Sequence, residues 1–158
     1  MDKRFLYSIA ALIAAAGIYL AVTAAGVTLP EVPPLYYYGL EDWGSGKAAG
    51  LPGVVLAYLF VAVASLLFFG HAAPLAMALE GLKYASAYSH ASVHPYDFLF
   101  ALPQFVAVYA GLRLSANAEA DFDHKGTVFR QWQYPLLLYI AGAALVLLLY
   151  IVRTPFVG

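Results

Sequence analysis

The chain reads as an all-α, polytopic helical membrane protein with about five transmembrane helices, one of them kinked at proline. Two observations predict this. Of 158 residues, 63% are apolar and 11% charged, against roughly 45–50% and 25% in ordinary soluble domains. The apolar residues also gather into runs near the roughly 20 residues that a helix needs to cross the hydrocarbon core. A water-soluble domain this short could not cover so much apolar side chain, because small folds leave a large share of their surface exposed.

Taken in order, the first run spans residues 5–26, and the second, "LPGVVLAYLFVAVASLLFFG", spans 51–70. A third segment, 72–89, is milder and carries Glu80 and Lys83, so it either spans or re-enters. The fourth, 98–114, holds Pro103, which is expected to kink it and free carbonyls that Gln104 or a neighbouring helix would satisfy. The fifth covers 134–152, with Pro135 near its start, as Pro74 is near the start of the third. An outer loop, 27–50, and an inner loop, 115–133, complete a single integral membrane domain. With five spans, Lys3, Arg4, Arg113, Lys125 and Arg130 share one side, and Lys47 and Arg153 the other. The cytoplasmic excess of basic residues then places the amino terminus inside a cell membrane. "MDKR", the apolar run and "AVTAAG" also fit a signal peptide; the length of the run favours a retained helix.

Positions three and four apart share a helix face. Glu80 and Lys83 can therefore pair, in a stripe with Ala76, Ala87 and His90; with Asp97 they form a candidate polar seam. Ionisable groups in a span face the protein interior and are functional candidates by default. Here a self-compensated packing seam is the simpler reading. Small residues at four-residue spacing mark candidate helix contacts: Gly17, Ala21 and Ala25; Gly81, Ala85 and Ser89; Ala107 and Gly111. Tyr36, Tyr37, Tyr38, Trp43 and Trp132 are candidate interfacial aromatics.

Other chemistries find little support. "HASVHPYD" offers His90, His94 and Asp97, but Pro95 takes His94 out of helical geometry, so an interfacial turn is preferred to a metal site. His71 with His94 lacks any motif for haem. "WGSGKAAG" fails as a phosphate loop, with Glu41 where glycine is needed and Ala48 where Ser or Thr is needed. No cysteine is present, which removes thiolate chemistry, and a net charge of −1 gives no reason to expect nucleic acid. No cofactor and no catalytic constellation are expected.

At "PYDFLFALPQFVAVYAGLRL" the chain resembles the stage II sporulation protein M family of small integral membrane proteins. Phe100, Leu102, Pro103, Ala107, Ala110, Gly111, Leu112, Arg113 and Leu114 fit the family's segment, and "FGHAAPLAMALEGLKYA" and the final apolar run are similar to its neighbouring segments. The resemblance covers roughly residues 69–158. Asp97 stands where the family usually has His, and Ala101 where it has Glu; no role of that Glu passes to this chain. Membership implies a non-catalytic scaffold or accessory subunit, packing with itself or with other membrane proteins. A permease or ion path through Glu80 and Lys83 is the alternative, and an accessory subunit of a respiratory complex a third.

Overall fold

A computed structural model describes residues 2–30, 51–89, 99–123 and 129–157. Among them the chain is all helical: α1 (Lys3–Ala24), α2 (Leu51–Ala64), α3 (Ala73–Ser89), α4 (Ala101–Asp123) and α5 (Phe129–Val157), with a 3-10 turn at Leu67–Gly70 between α2 and α3. No strand occurs among the described residues.

Three elements depart from the expected boundaries. The run 51–70 is not one helix. It ends at Ala64, after 14 residues, or about 21 Å at 1.5 Å per residue. The chain then turns through Phe68 (φ 50°), Phe69 (φ 53°) and Gly70 (φ 82°), three successive residues in the left-handed region. The region expected as inner loop 115–133 is mostly helix, because α4 continues to Asp123 and α5 begins at Phe129. Pro103 consequently falls in the first turn of α4 and produces no kink, since its missing amide hydrogen has no intrahelical partner there in any case. Pro135, expected near a helix start, lies inside α5 instead.

The most extensive helix contact joins α1 and α3. They run parallel: near their starts Arg4 reaches Phe69, in the middle Gly81 lies on Leu12, and further on Tyr19 meets Ser86. A second group forms where α2, α4 and α5 meet, and α2·α3 and α1·α4 contacts join the two groups. The shared core contains Val54, Tyr58 and Val61 from α2, Ala73 and Met77 from α3, Ala107, Val108 and Leu112 from α4, and Val146 from α5.

Large apolar side chains are not confined to that core. On α5 a narrow stripe, Pro135, Gly142 and Val146 with half-buried Tyr139, faces the bundle, while Leu136, Leu137, Ile140, Leu147, Leu148 and Ile151 are exposed. Two helical stretches, Lys3–Ala24 and Trp132–Val152, are long and apolar enough to cross a membrane. Their most apolar windows are only 11% and 17% buried, so neither is the covered core helix of a soluble fold.

Candidate functional site

The polar seam lies between α3 and α4. On α3 the residues Ala73, Ala76, Met77, Glu80, Gly81 and Ala85 are buried, recurring at three- and four-residue spacing as one helix face requires. Glu80 occupies the middle of that face and is 1% exposed. On α4 the buried stripe begins at Gln104, which meets Glu80, and continues through Ala107, Gly111 and Ser115, which lie against Ser65 at the end of α2. Across the contact Gln104 Nε2 donates to Glu80 Oε2 at 2.7 Å. Lys83 Nζ forms a salt bridge to the same oxygen from within α3, and its ammonium lies 4.9 Å from the Tyr84 ring centroid. The expected Glu80–Lys83 pair is thus present. Gln104 does not satisfy freed α4 carbonyls as expected; it ties α4 to the α3 carboxylate. Its Oε1 is buried with no hydrogen-bond partner among the described residues.

This arrangement has a definite energetic character. An isolated charge in a low-dielectric interior costs several kcal/mol, and that cost is offset only by a partner and further hydrogen bonds. Glu80 has both. His90 and Asp97, the other proposed members of the seam, lie outside the described residues, as do His94, Tyr36, Tyr37, Tyr38 and Trp43. Trp132 is exposed at the start of the apolar stretch of α5. His71 is exposed beside the 3-10 turn.

The small-residue stripes divide. A Cβ on Gly81 would collide with the Leu12 backbone of α1, and one on Gly111 with Ser65 and the Tyr139 hydroxyl. Ala85 and Ala107 are buried with them. Ser89 is exposed and bonds its own helix at Ala85 O, 2.9 Å. Among the described residues, Gly17, Ala21 and Ala25 are all exposed, and nothing lies within 4 Å of a Cβ built on Gly17. The side of α1 facing inward carries Ser8, Leu12 and Tyr19 instead. Small size permits close approach without dictating it. Tyr19, which bonds Ser86 Oγ at 3.3 Å, fixes the opposite rotation.

Two further clusters escaped the sequence reading. In the first, Tyr58 OH donates to the Tyr139 carbonyl at 2.6 Å, Tyr139 OH donates to the Ala62 carbonyl at 3.2 Å, and Ser65 Oγ lies 3.1 Å from Tyr139 OH. Gly142 admits the Tyr58 ring, for a Cβ there would lie 2.5 Å from the Tyr58 hydroxyl. Tyr58 in α2 and Ser65 just past its end, seven residues apart, were a usable signal, since that spacing returns to one face where the helical path continues.

The second cluster clasps the start of α1. Asp2 accepts from Arg4 N at 2.9 Å and pairs with the Arg4 guanidinium at 3.0 Å. Arg4 also donates to the Phe69 carbonyl and pairs with Glu119 of α4 at 3.3 Å. The Arg4 side-chain hydrogen bond holds the Asp2 carboxyl below its usual 3.8, against a smaller upward push from burial. Phe5 stacks edge-on against Tyr109 at 5.8 Å, and Arg113 bonds the Tyr109 hydroxyl. Arg4 and Glu119 are too far apart in sequence for any local pattern to have joined them.

The chain matches no protein-family model and no curated protein, and its fold matches no solved structure.

Proposed function

We propose that this chain is a multi-pass cell-membrane protein that acts as a non-catalytic scaffold or accessory subunit, with its amino terminus cytoplasmic. The observation carrying this reading is the closure of Glu80 on Lys83 and Gln104. Glu80, a deeply buried ionisable group among the described residues, is paired within α3 by Lys83 and bonded across to α4 by Gln104. The Tyr58–Tyr139–Ser65 cluster likewise joins α2, α4 and α5, partly through backbone carbonyls. The exposed apolar faces of α1 and α5 support a lipid environment, as does the basic excess that a five-span arrangement collects on one side. The resemblance to the sporulation protein M family points the same way. The partners under this proposal are other membrane proteins or further copies of the chain.

Native membranes extracted in mild detergent, sized on native gels and analysed by mass spectrometry test the proposal. A discrete complex is the expected result; a lone monomer overturns it. Because the chain has no cysteine, single cysteines introduced at Lys47 and Ala116 report sidedness without a background. Labelling of position 47 from outside and of position 116 from inside is expected. Labelling of both from one side would exclude the five-span arrangement.

One observation favours a second reading, a solute or ion path. Among the described residues Gln104 Oε1 is an unpartnered buried acceptor in the same seam as Glu80, the kind of polar atom that accounts for itself when a transported group passes. This reading requires Glu80→Gln to abolish flux in vesicles while leaving the fold intact. Unchanged flux removes it.

A further inference from the structure

The 3-10 turn between α2 and α3 has an unusual backbone and an unusual surface. Leu66, Leu67, Phe68 and Phe69 are 44%, 49%, 78% and 45% exposed. Exposed leucines on a lipid-facing helix need no special explanation. Here, however, Phe68 and Phe69 occupy left-handed backbone, which crowds the Cβ of an L-residue against the following carbonyl oxygen. Such strain persists only where the surroundings fix it.

The turn is fixed from the inside. Arg4 donates to the Phe69 carbonyl. Gly70, itself left-handed, backs onto the Leu112 side chain, whose terminal methyl a Cβ there would have to displace. His71 N closes the turn on the Phe68 carbonyl at 3.2 Å. The result presents the two phenyl rings outward at the end of a helix too short to cross about 30 Å of hydrocarbon.

Charge surrounds this apolar tip. Lys3 and Arg113 are exposed, with Arg113 bonded to the Tyr109 hydroxyl, while Arg4 pairs with Asp2 and Glu119. Arg113 follows Leu112, the residue against which Gly70 rests. Apolar rings beside outward-facing cations fit one environment well: the boundary between acyl chains and anionic headgroups, where amphipathic segments settle.

We propose that the Leu66–Phe69 turn is an interfacial wedge. Phe68 and its neighbours insert shallowly into the leaflet on the amino-terminal side, and Lys3 and Arg113 meet anionic headgroups. The wedge anchors the end of short α2 and fixes the depth at which the α1–α3 pair sits. This inference rests on the membrane reading above, and the test separates the two.

The full chain is reconstituted in vesicles of phosphatidylcholine and phosphatidylglycerol, with Trp43→Phe and Trp132→Phe removing native tryptophan and Phe68→Trp supplying one probe in the turn. A companion protein keeps Trp132 alone. Quenching is compared between lipids brominated near the headgroup and lipids brominated near the chain end. The expected result is a blue-shifted emission from the turn probe, quenched more strongly by the shallow bromines and shifted to the red when phosphatidylglycerol is omitted. If Trp132 is quenched and the turn probe is not, the turn faces water or protein and the wedge is overturned while the membrane reading stands. Stronger quenching by the deep bromines also overturns it, because the turn would then lie in mid-bilayer. No quenching of either probe overturns both readings. Leu67→Trp serves as a second probe should Phe68→Trp fail to fold.

Discussion

Replacing Gly81 and Gly17 by alanine, one at a time, discriminates between the helix rotation found in the structure and the one the sequence favoured. Each glycine lies inside a helix, so alanine at either position gains about 1 kcal/mol of helix propensity. At Gly17 nothing within 4 Å opposes the new methyl group, so Gly17→Ala stabilises by about 0.5–1 kcal/mol. At Gly81 the methyl meets the Leu12 carbonyl of α1. That obstacle is helical backbone, which cannot rotate aside as a side chain would. Overpacking of this kind costs typically about 1–3 kcal/mol. The upper part of that range applies because the α1–α3 contact would have to separate along its length. Net of propensity, Gly81→Ala destabilises by about 1–2 kcal/mol. The two variants should therefore move in opposite directions from the parent protein. Unfolding in mild-detergent micelles by titration with sodium dodecyl sulfate, followed by far-ultraviolet circular dichroism, measures both. Equal shifts in the same direction would refute the assignment of Gly81, and not Gly17, to the α1–α3 contact.

Three further outcomes follow from the polar clusters. Glu80→Gln removes the carboxylate that pairs with the mostly buried Lys83 ammonium and should cost about 3–5 kcal/mol, whereas Glu80→Gln with Lys83→Met should recover much of that loss; the same micelle titration checks both, and a Glu80→Gln protein as stable as the parent would show that the pair contributes nothing. Tyr139→Phe removes the hydroxyl that donates to the Ala62 carbonyl and contacts Ser65, for a loss of about 1–2 kcal/mol, read as an earlier unfolding midpoint. Asp2 has a lowered folded-state pKa, so its contribution is fully present above the unfolded value of 3.8 and is lost as pH falls through the folded value. Asp2→Asn should thus match the parent in stability at pH 2 and fall below it at pH 6 (both chosen to bracket the titration at about 3.8), which thermal unfolding at the two pH values measures.

The legible part of this protein was its helical class and the local pairing within α3. A run such as residues 134–152 needs no neighbour to declare itself a helix, because its apolar length alone satisfies the requirement for spanning hydrocarbon. The Glu80–Lys83 pair was visible for a similar reason, since three-residue spacing puts both side chains on one face. Helix limits were harder to read. Charged "SANAEADFD" has the composition of a loop, yet α4 continues to Asp123, with Glu119 paired to Arg4 across the bundle. Apolar "SLLFFG" has the composition of a span, yet it turns, because Arg4 holds the Phe69 carbonyl and Leu112 holds the place beside Gly70.

By itself, then, the sequence determined the helical class and which groups on one helix can meet, because both follow from apolar run length and local geometry. Only the tertiary structure decided which face of each helix turns inward. Gly17, Ala21 and Ala25 offered α1 a smooth face, and Ser8, Leu12 and Tyr19 are the residues it turns inward. Gln104 became the partner of Glu80, and Tyr139 of Tyr58, through contacts between helices distant in sequence. In a chain whose helices are apolar on most sides, burial of apolar surface discriminates weakly between rotations. A few polar hydrogen bonds and the glycines beneath them then set the packing.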